Sequence, residues 1–229
     1  MTEVNCMDVN VAIDPALTAR YPQIRLGCLA YEARVEKENP ALWAEMEARV
    51  VPETLRLLEE RGLTGLEGIR SSREAYKAFG RNPTRYRVSS ESLIRRIRQG
   101  HPLYRVNTVV DANNLISVET AMSAGSYDLD RLQGTVTLRV GQPGQGYEGI
   151  GKDYIDMEKM LLLADDLGPF GSPTSDSHRA MIGLDSTRIL TVLYCFSDAI
   201  GLEAALERAA GQLEQYAGAR GVRRWIVTA

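Results

Sequence analysis

Histidine is nearly absent from this chain of 229 residues: His101 and His178 stand alone, and cysteine adds only Cys6, Cys28 and Cys195. No HxH, HExxH or CxxC spacing occurs, which excludes the usual zinc frameworks. Three scattered cysteines also exclude a disulfide scaffold and read as reduced, mostly buried thiols of a cytoplasmic protein. No apolar run reaches the roughly 18 to 20 residues that span a bilayer, so no membrane partner is expected. The start, MTEVNCMDVN, lacks a cationic segment and an apolar stretch and does not read as a signal peptide. A GxSxG elbow is missing, and adjacent residues such as Ser177 and His178 rarely meet in one triad. The loop GQPGQGYEGIG lacks the Lys-Ser/Thr ending of a phosphate cradle.

What is present is an uneven distribution of charge. The chain carries a net −3, yet ten positive residues between Arg70 and Arg105 face only Glu74 and Glu91. That window has a surplus of eight positive charges, and the remainder stands at −11. Such asymmetry points to an anionic partner at one surface, and arginine dominates the window, which suits bidentate phosphate contacts. The competing reading is a solvated set of helix faces paired with acids elsewhere.

Periodicity and punctuation predict a mixture of helices and strands without strict alternation, an α+β class with one domain over residues 1–229 and a central mixed sheet flanked by helices. Strands are expected at Val9–Ile13 and Ile24–Tyr31. Asn39 caps a helix with Pro40 at its first position; Pro52 kinks or divides that helix and Gly62 ends it. A short helix covers Ser72–Phe79, and Ser89 or Ser90 caps the next, with Leu93, Ile94 and Ile97 on its apolar side. Asn107–Thr120 reads as a helix on which Asn107, Asp111 and Asn114 form one polar stripe at i, i+4 and i+7. Ala124–Leu132 reads as turn, and Gly134–Val140, Met160–Ala164, Ala180–Leu184 and Arg188–Phe196 read as strands. Pro169–Asp176 is a loop, Gly201–Tyr216 a helix, and Trp225–Thr228 a terminal strand or tail. The segments ADD at 164–166 and SDSH at 175–178 place carboxylates and hydroxyls just past apolar strands, where binding groups concentrate; Asp165 and Asp176 could equally cap turns.

Three stretches in order, NPTRYRVSSESLIRRI, VNTVVDANNLISVET and GSYDLDRLQG, resemble the editing domain of the phenylalanyl-tRNA synthetase β-subunit, its B-three/B-four module. The likeness continues through LLLADDLG and SDSHRAMIGLDSTRILTVLY. The stretches resemble still more closely the free-standing proteins built from that module alone. Residues 70–217 carry its core, and residues 1–69 match loosely. The resemblance implies a pocket between a sheet and the Asn-rich helix and hydrolysis of the ester of a mischarged tRNA in trans; no cofactor and no metal are expected. A deacylase of canavanyl-tRNA for arginine belongs to that group. The synthetase pattern departs here in two places: AGSYD replaces MHAFD, so that Gly125 falls at its histidine, and the glutamate of its GGEH segment has no clear counterpart.

On this basis Asn107, Asp111 and Asn114 are expected to organise the pocket, while Ser126, Asp128, Ser177 and His178 orient water or the ester. Gly125 and Tyr127, in the same turn, are expected to bind the substrate. Asp165, Asp166 and Asp176 are candidate partners for an arginine-like side chain, because a guanidinium seeks carboxylates. Arg81, Arg85, Arg87, Arg95, Arg96 and Arg98 would contact phosphates at the acceptor end of tRNA, with no role for DNA. A non-catalytic binding module and a small-molecule ester hydrolase are the rival readings. Oligomeric state is not legible in the sequence.

Overall fold

A computed structural model describes residues 8–228. Its centre is an antiparallel sheet of order β10-β2-β9-β3, built from β2 (Arg25–Glu32), β3 (Ala124–Asp128), β9 (Arg188–Cys195) and β10 (Arg220–Val227). β2 and β9 are buried along nearly their whole length, so they read as continuous apolar runs. Alternation then sends each face to a different core. Leu29, Tyr31, Ile189, Leu193 and Cys195 face the helices, whereas Leu26, Cys28, Leu190, Val192 and Tyr194 face a second sheet.

That second sheet has the order β1-β4-β7-β8, from β1 (Val11–Ile13), β4 (Val136–Val140), β7 (Leu161–Asp165) and β8 (Gly168–Gly171). β1 and β4 pair in parallel and the other pairs are antiparallel, which makes the sheet mixed. A small hairpin joins β5 (Gly146–Glu148) to β6 (Tyr154–Asp156). The helical layer holds α2 (Pro40–Glu45), α3 (Val51–Arg61), α4 (Glu67–Ala78), α5 (Ser89–Arg98), α6 (Thr108–Thr120) and α7 (Leu202–Ala217), and α1 (Pro15–Arg20) lies apart beside β4. The α+β class and the helix-flanked mixed architecture expected from sequence hold. The single central mixed sheet resolves into an antiparallel central sheet, a second, mixed sheet and a two-stranded hairpin.

Local chemistry explains the ends of the helices. The Asn39 side chain accepts from the N–H groups of Ala41 and Leu42, with Pro40 first in the helix. Pro52 does not divide the run: a π-helical turn over Met46–Val50 joins α2 to α3. The extra residue of that turn relieves the clash of a proline ring with a preceding carbonyl. Neither Ser89 nor Ser90 is the cap of α5; both lie inside it, and the Ser123 hydroxyl accepts from the Ser90 N–H instead. α6 ends at Ala121 in the left-handed region, and Gly68 of α4 lies against that end, where a Cβ would stand 2.5 Å from the Ala121 carbonyl oxygen.

Five expectations need correction. Ala124–Leu132 is not all turn, because its first five residues form β3 as an edge partner of β9. Small residues there accommodate a neighbouring ring rather than make a bend. Ala180–Leu184 forms no strand, whereas the expected loop at 169–176 begins with β8, and the terminal strand begins already at Arg220. The glycine-rich loop contains β5. Cys28 and Cys195 are buried free thiols, and Cys6 lies outside the described residues.

Candidate functional site

The polar stripe on α6 is two parts scaffold and one part site. Asn107 is the helix cap: its carbonyl oxygen accepts from the Val110 N–H at 2.9 Å and its amide donates to the Ile182 carbonyl at 3.3 Å. Asp111 is buried and accepts from Trp43 Nε1 and from the Val106 N–H, both at 2.9 Å. Burial pushes its carboxyl up from the usual range, and these two donors oppose that shift. Asn114 alone reaches a cavity. Asn113, missed in the sequence because it falls on the apolar face, points to the sheet. Its amide donates to the Ala124 carbonyl at 3.0 Å and its carbonyl accepts from Ser126 Oγ at 3.1 Å. Ser126 continues a chain of hydroxyls through Thr191 at 2.8 Å to Tyr31 at 3.0 Å. This polar seam fixes α6 on the sheet.

The other proposed catalytic groups are also dispersed. Asp128 is buried, accepting from the Asp130 N–H, from Ser186 Oγ at 2.7 Å and from Arg131 at 3.2 Å. Ser177 is buried and its hydroxyl accepts from the Ala180 N–H. His178 is exposed and lines a small cleft with Glu148, Lys152 and Asp153. Among the described residues no three His, Cys, Asp or Glu side chains are grouped to hold a metal ion.

Nor do the three acidic candidates converge. Asp165 has a side chain with 0% exposure and receives both terminal nitrogens of Arg179, at 2.8 and 3.1 Å, together with the N–H groups of Gln133 and Leu167. Asp166 is exposed at the β7–β8 turn. Asp176 accepts from the Tyr127 hydroxyl at 2.8 Å and from the Ser172 N–H at 3.2 Å. Tyr127 in turn shares a 2.8 Å hydrogen bond with Tyr194. The ring of Tyr127 occupies the space over two glycines. A Cβ at Gly125 would stand 2.1 Å from its hydroxyl, and one at Gly171 2.5 Å. No side chain fits at position 125 while Tyr127 is seated there.

Burial raises the Asp176 carboxyl from 3.8 to about 6, against the lowering effects of Tyr127, Ser172 and Lys152. Its folded-state pKa therefore lies above its unfolded value, and between about pH 4 and 6 the folded protein holds the extra proton. The stabilisation is complete below that window and is lost as pH rises through it. At about 1.4 kcal/mol per unit, wild type should lose about 2 to 3 kcal/mol across the window relative to Asp176→Asn, whose amide oxygen still accepts from Tyr127 and Ser172. Urea unfolding of both proteins at pH 4 and pH 7 checks this, and a pH-independent difference would contradict it.

The place where predicted residues do meet is a groove of about 510 Å³ beside α5. Arg87, Arg95, Arg96 and Lys152 line it together with Ser89, Ser92, Gln99, Tyr104, Asn114 and Thr174, and no carboxylate does. One wall is rigid: the Tyr76 hydroxyl and Thr174 share a 2.7 Å hydrogen bond, and Lys152 Nζ donates to Ser175 Oγ at 3.3 Å. Burial holds the Tyr76 phenol well above its usual range. Not every arginine of the basic window is free for a ligand. Arg73 and Arg95 share the buried Glu91, Arg70 pairs with Glu67 and Glu74, and Arg105 pairs with Glu47. Arg81 and Arg85 stack on Tyr86, and Arg98 is exposed outside the groove. A larger cleft of about 880 Å³ lies where β2 ends and β9 and β10 begin, but acids and bases alternate there and none of the predicted site residues lines it.

Two stacked sheets, a helical layer and a cationic groove over an Asn-bearing helix define an α+β fold. The chain belongs to the B3/4 domain family, whose model matches residues 71–218. Over 72 residues it is 33% identical to the phenylalanine–tRNA ligase β subunit of Nitrosospira multiformis, a match covering 29% of this chain and 9% of that protein. An N-terminal fragment of the phenylalanyl-tRNA synthetase β-subunit from Pyrococcus horikoshii is similar over 96% of this chain and 50% of its own, with TM-score 0.46 and 10% identity. The chain thus spans half or less of the length of these relatives. No helix among the described residues is long and apolar enough to cross a membrane.

Proposed function

We propose that this protein is an aminoacyl-tRNA deacylase that holds the acceptor end of a mischarged tRNA in the groove beside α5. The observation that carries the reading is the lining: four cations, one of which, Arg95, already pairs with the buried Glu91, several hydroxyls and amides and no lining carboxylate, in a member of the B3/4 family. Cations of this kind bind phosphates without reading bases. In the reaction water attacks the ester carbonyl carbon, the bond to the ribose oxygen breaks, and the amino acid leaves with the proton balance completed by solvent. An aminoacyl ester is already activated, so orienting water and polarising the carbonyl supply much of the rate. Asn114, Thr174 and Lys152 are the groups of the groove suited to that role.

The lining also bears on the amino acid. A guanidinium-bearing side chain would need a carboxylate partner, and Asp165 and Asp176 already have theirs. A neutral amino acid fits the groove better than an arginine-like one. One observation favours the rival reading of a non-catalytic binding module: the groove contains no histidine, cysteine or carboxylate to act as a general base.

Incubation with a panel of tRNAs carrying neutral, acidic and basic amino acids, followed by ester loss, tests the proposal. Loss on at least one tRNA is expected, slowed at least tenfold by Lys152→Ala or Asn114→Ala, in line with removal of a polarising donor. Tight tRNA binding without ester loss on any member would establish the binding module instead.

A further inference from the structure

The most exposed large apolar or aromatic side chain of the described residues is Tyr104, at 64%, and it lines the same groove. It sits in the irregular segment 101–107 between α5 and α6. Its ring is not loose. The Arg96 guanidinium lies 4.1 Å from the ring centroid, and Arg96 Nε is itself anchored on the Pro102 carbonyl. One π-face is thus backed by a cation. Two side-chain amides, Gln99 and Asn114, line the same cavity, and an amide offers a donor and an acceptor together.

A fixed aromatic ring, edge-reading amides and surrounding cations are what an unpaired nucleotide requires: a stacking surface for the base, partners for its edge and charges for its phosphates. We infer that Tyr104, held by Arg96, is the stacking platform for one unpaired base of a single-stranded RNA end, with Gln99 and Asn114 beside the base edge. This rests on the reading of the groove as an RNA site and adds the base to what was there only a phosphate contact. It also accounts for an exposed tyrosine in a groove that phosphates alone would not need.

The test uses the full chain, a short single-stranded RNA with 2-aminopurine near its 3′ end, and inorganic polyphosphate as the base-free probe. Wild type and Tyr104→Phe are expected to quench the 2-aminopurine fluorescence on binding. Tyr104→Ala should lose the quenching and bind the RNA about 5- to 150-fold more weakly, the range for removal of one stacked base, with polyphosphate affinity unchanged. Because Tyr104 is exposed, its truncation leaves the core intact. Equal RNA binding by wild type and Tyr104→Ala would overturn the platform, as would an equal loss of RNA and polyphosphate, which would make the ring a prop for Arg96. The deacylation panel separates the two conclusions. Stacking without ester loss leaves the platform standing and removes the enzyme, and ester loss with no effect of Tyr104→Ala does the reverse.

Discussion

Replacement of Asp165 by Ala should destabilise the protein by about 2 to 4 kcal/mol, below the full range for a broken buried ion pair because Arg179 is 30% exposed and can rehydrate. The carboxylate is fully enclosed and satisfies four donors at once: two nitrogens of Arg179 and the N–H groups of Gln133 and Leu167. Without it the guanidinium keeps only the carbonyls of Arg131 and Gly168 and its place over the Phe170 ring. Asp165→Asn should recover part of the loss, because an amide oxygen still accepts. Denaturant unfolding measures both. Unchanged stability on Asp165→Ala would show instead that the carboxylate is free to serve a ligand, as its position just past an apolar strand suggests in the sequence.

Glu91 gives the second large effect, and here stability and binding should move in opposite directions. Its carboxylate has 0% exposure and joins Arg73 at 2.9 Å to Arg95 at 2.8 Å. Glu91→Gln keeps an acceptor but leaves two guanidinium groups without a buried counter-charge. These are 22% and 28% exposed, so they can rehydrate, and a loss of about 2 to 3 kcal/mol is expected, below the full range for a broken buried pair. Arg95 lines the groove, so the same change raises the net positive charge under any bound phosphate. Removing a negative charge about 7 Å from a phosphate held by Arg95 is worth about 0.6 kcal/mol in a water-like medium, or about threefold in affinity at low salt. The gain should fade above about 0.15 M salt as screening sets in. Titration of tRNA against both proteins at two salt concentrations measures it, and unchanged affinity at low salt would place phosphates away from Arg95.

Neither the enclosure of Asp165 nor that of Glu91 is legible in the sequence. Helices with a clear cap and period, such as Asn39 with Pro40 or the 3.6-residue rhythm of α7, are local events, and their signals lie within a few residues. β3 was hidden because Gly125 and Ser126 look like turn formers. Their smallness instead serves contacts with Tyr127 and with Asn113, and the first of these also involves Asp176. Neighbouring asparagines were likewise indistinguishable until α6 was laid on the sheet: Asn113 faces inward to Ser126 and Asn114 outward to the groove.

The sequence alone determined the α+β class, most of the helices, the basic bias of residues 70–105 and the B3/4 kinship, since each is carried by composition, spacing or an ordered motif. Only the tertiary structure decided which charges are free. Glu91 absorbs Arg73 and Arg95, Asp165 absorbs Arg179, and Asp176 is held by Tyr127, whereas Arg87, Arg96 and Lys152 come from three separate segments to face one cavity without an acid. The reason is the short range of the interactions involved. A hydrogen bond or a buried ion pair exists only within about 3 to 4 Å, and desolvation forces a buried charge to find such a partner wherever the fold places one. Distance along the chain does not encode that encounter.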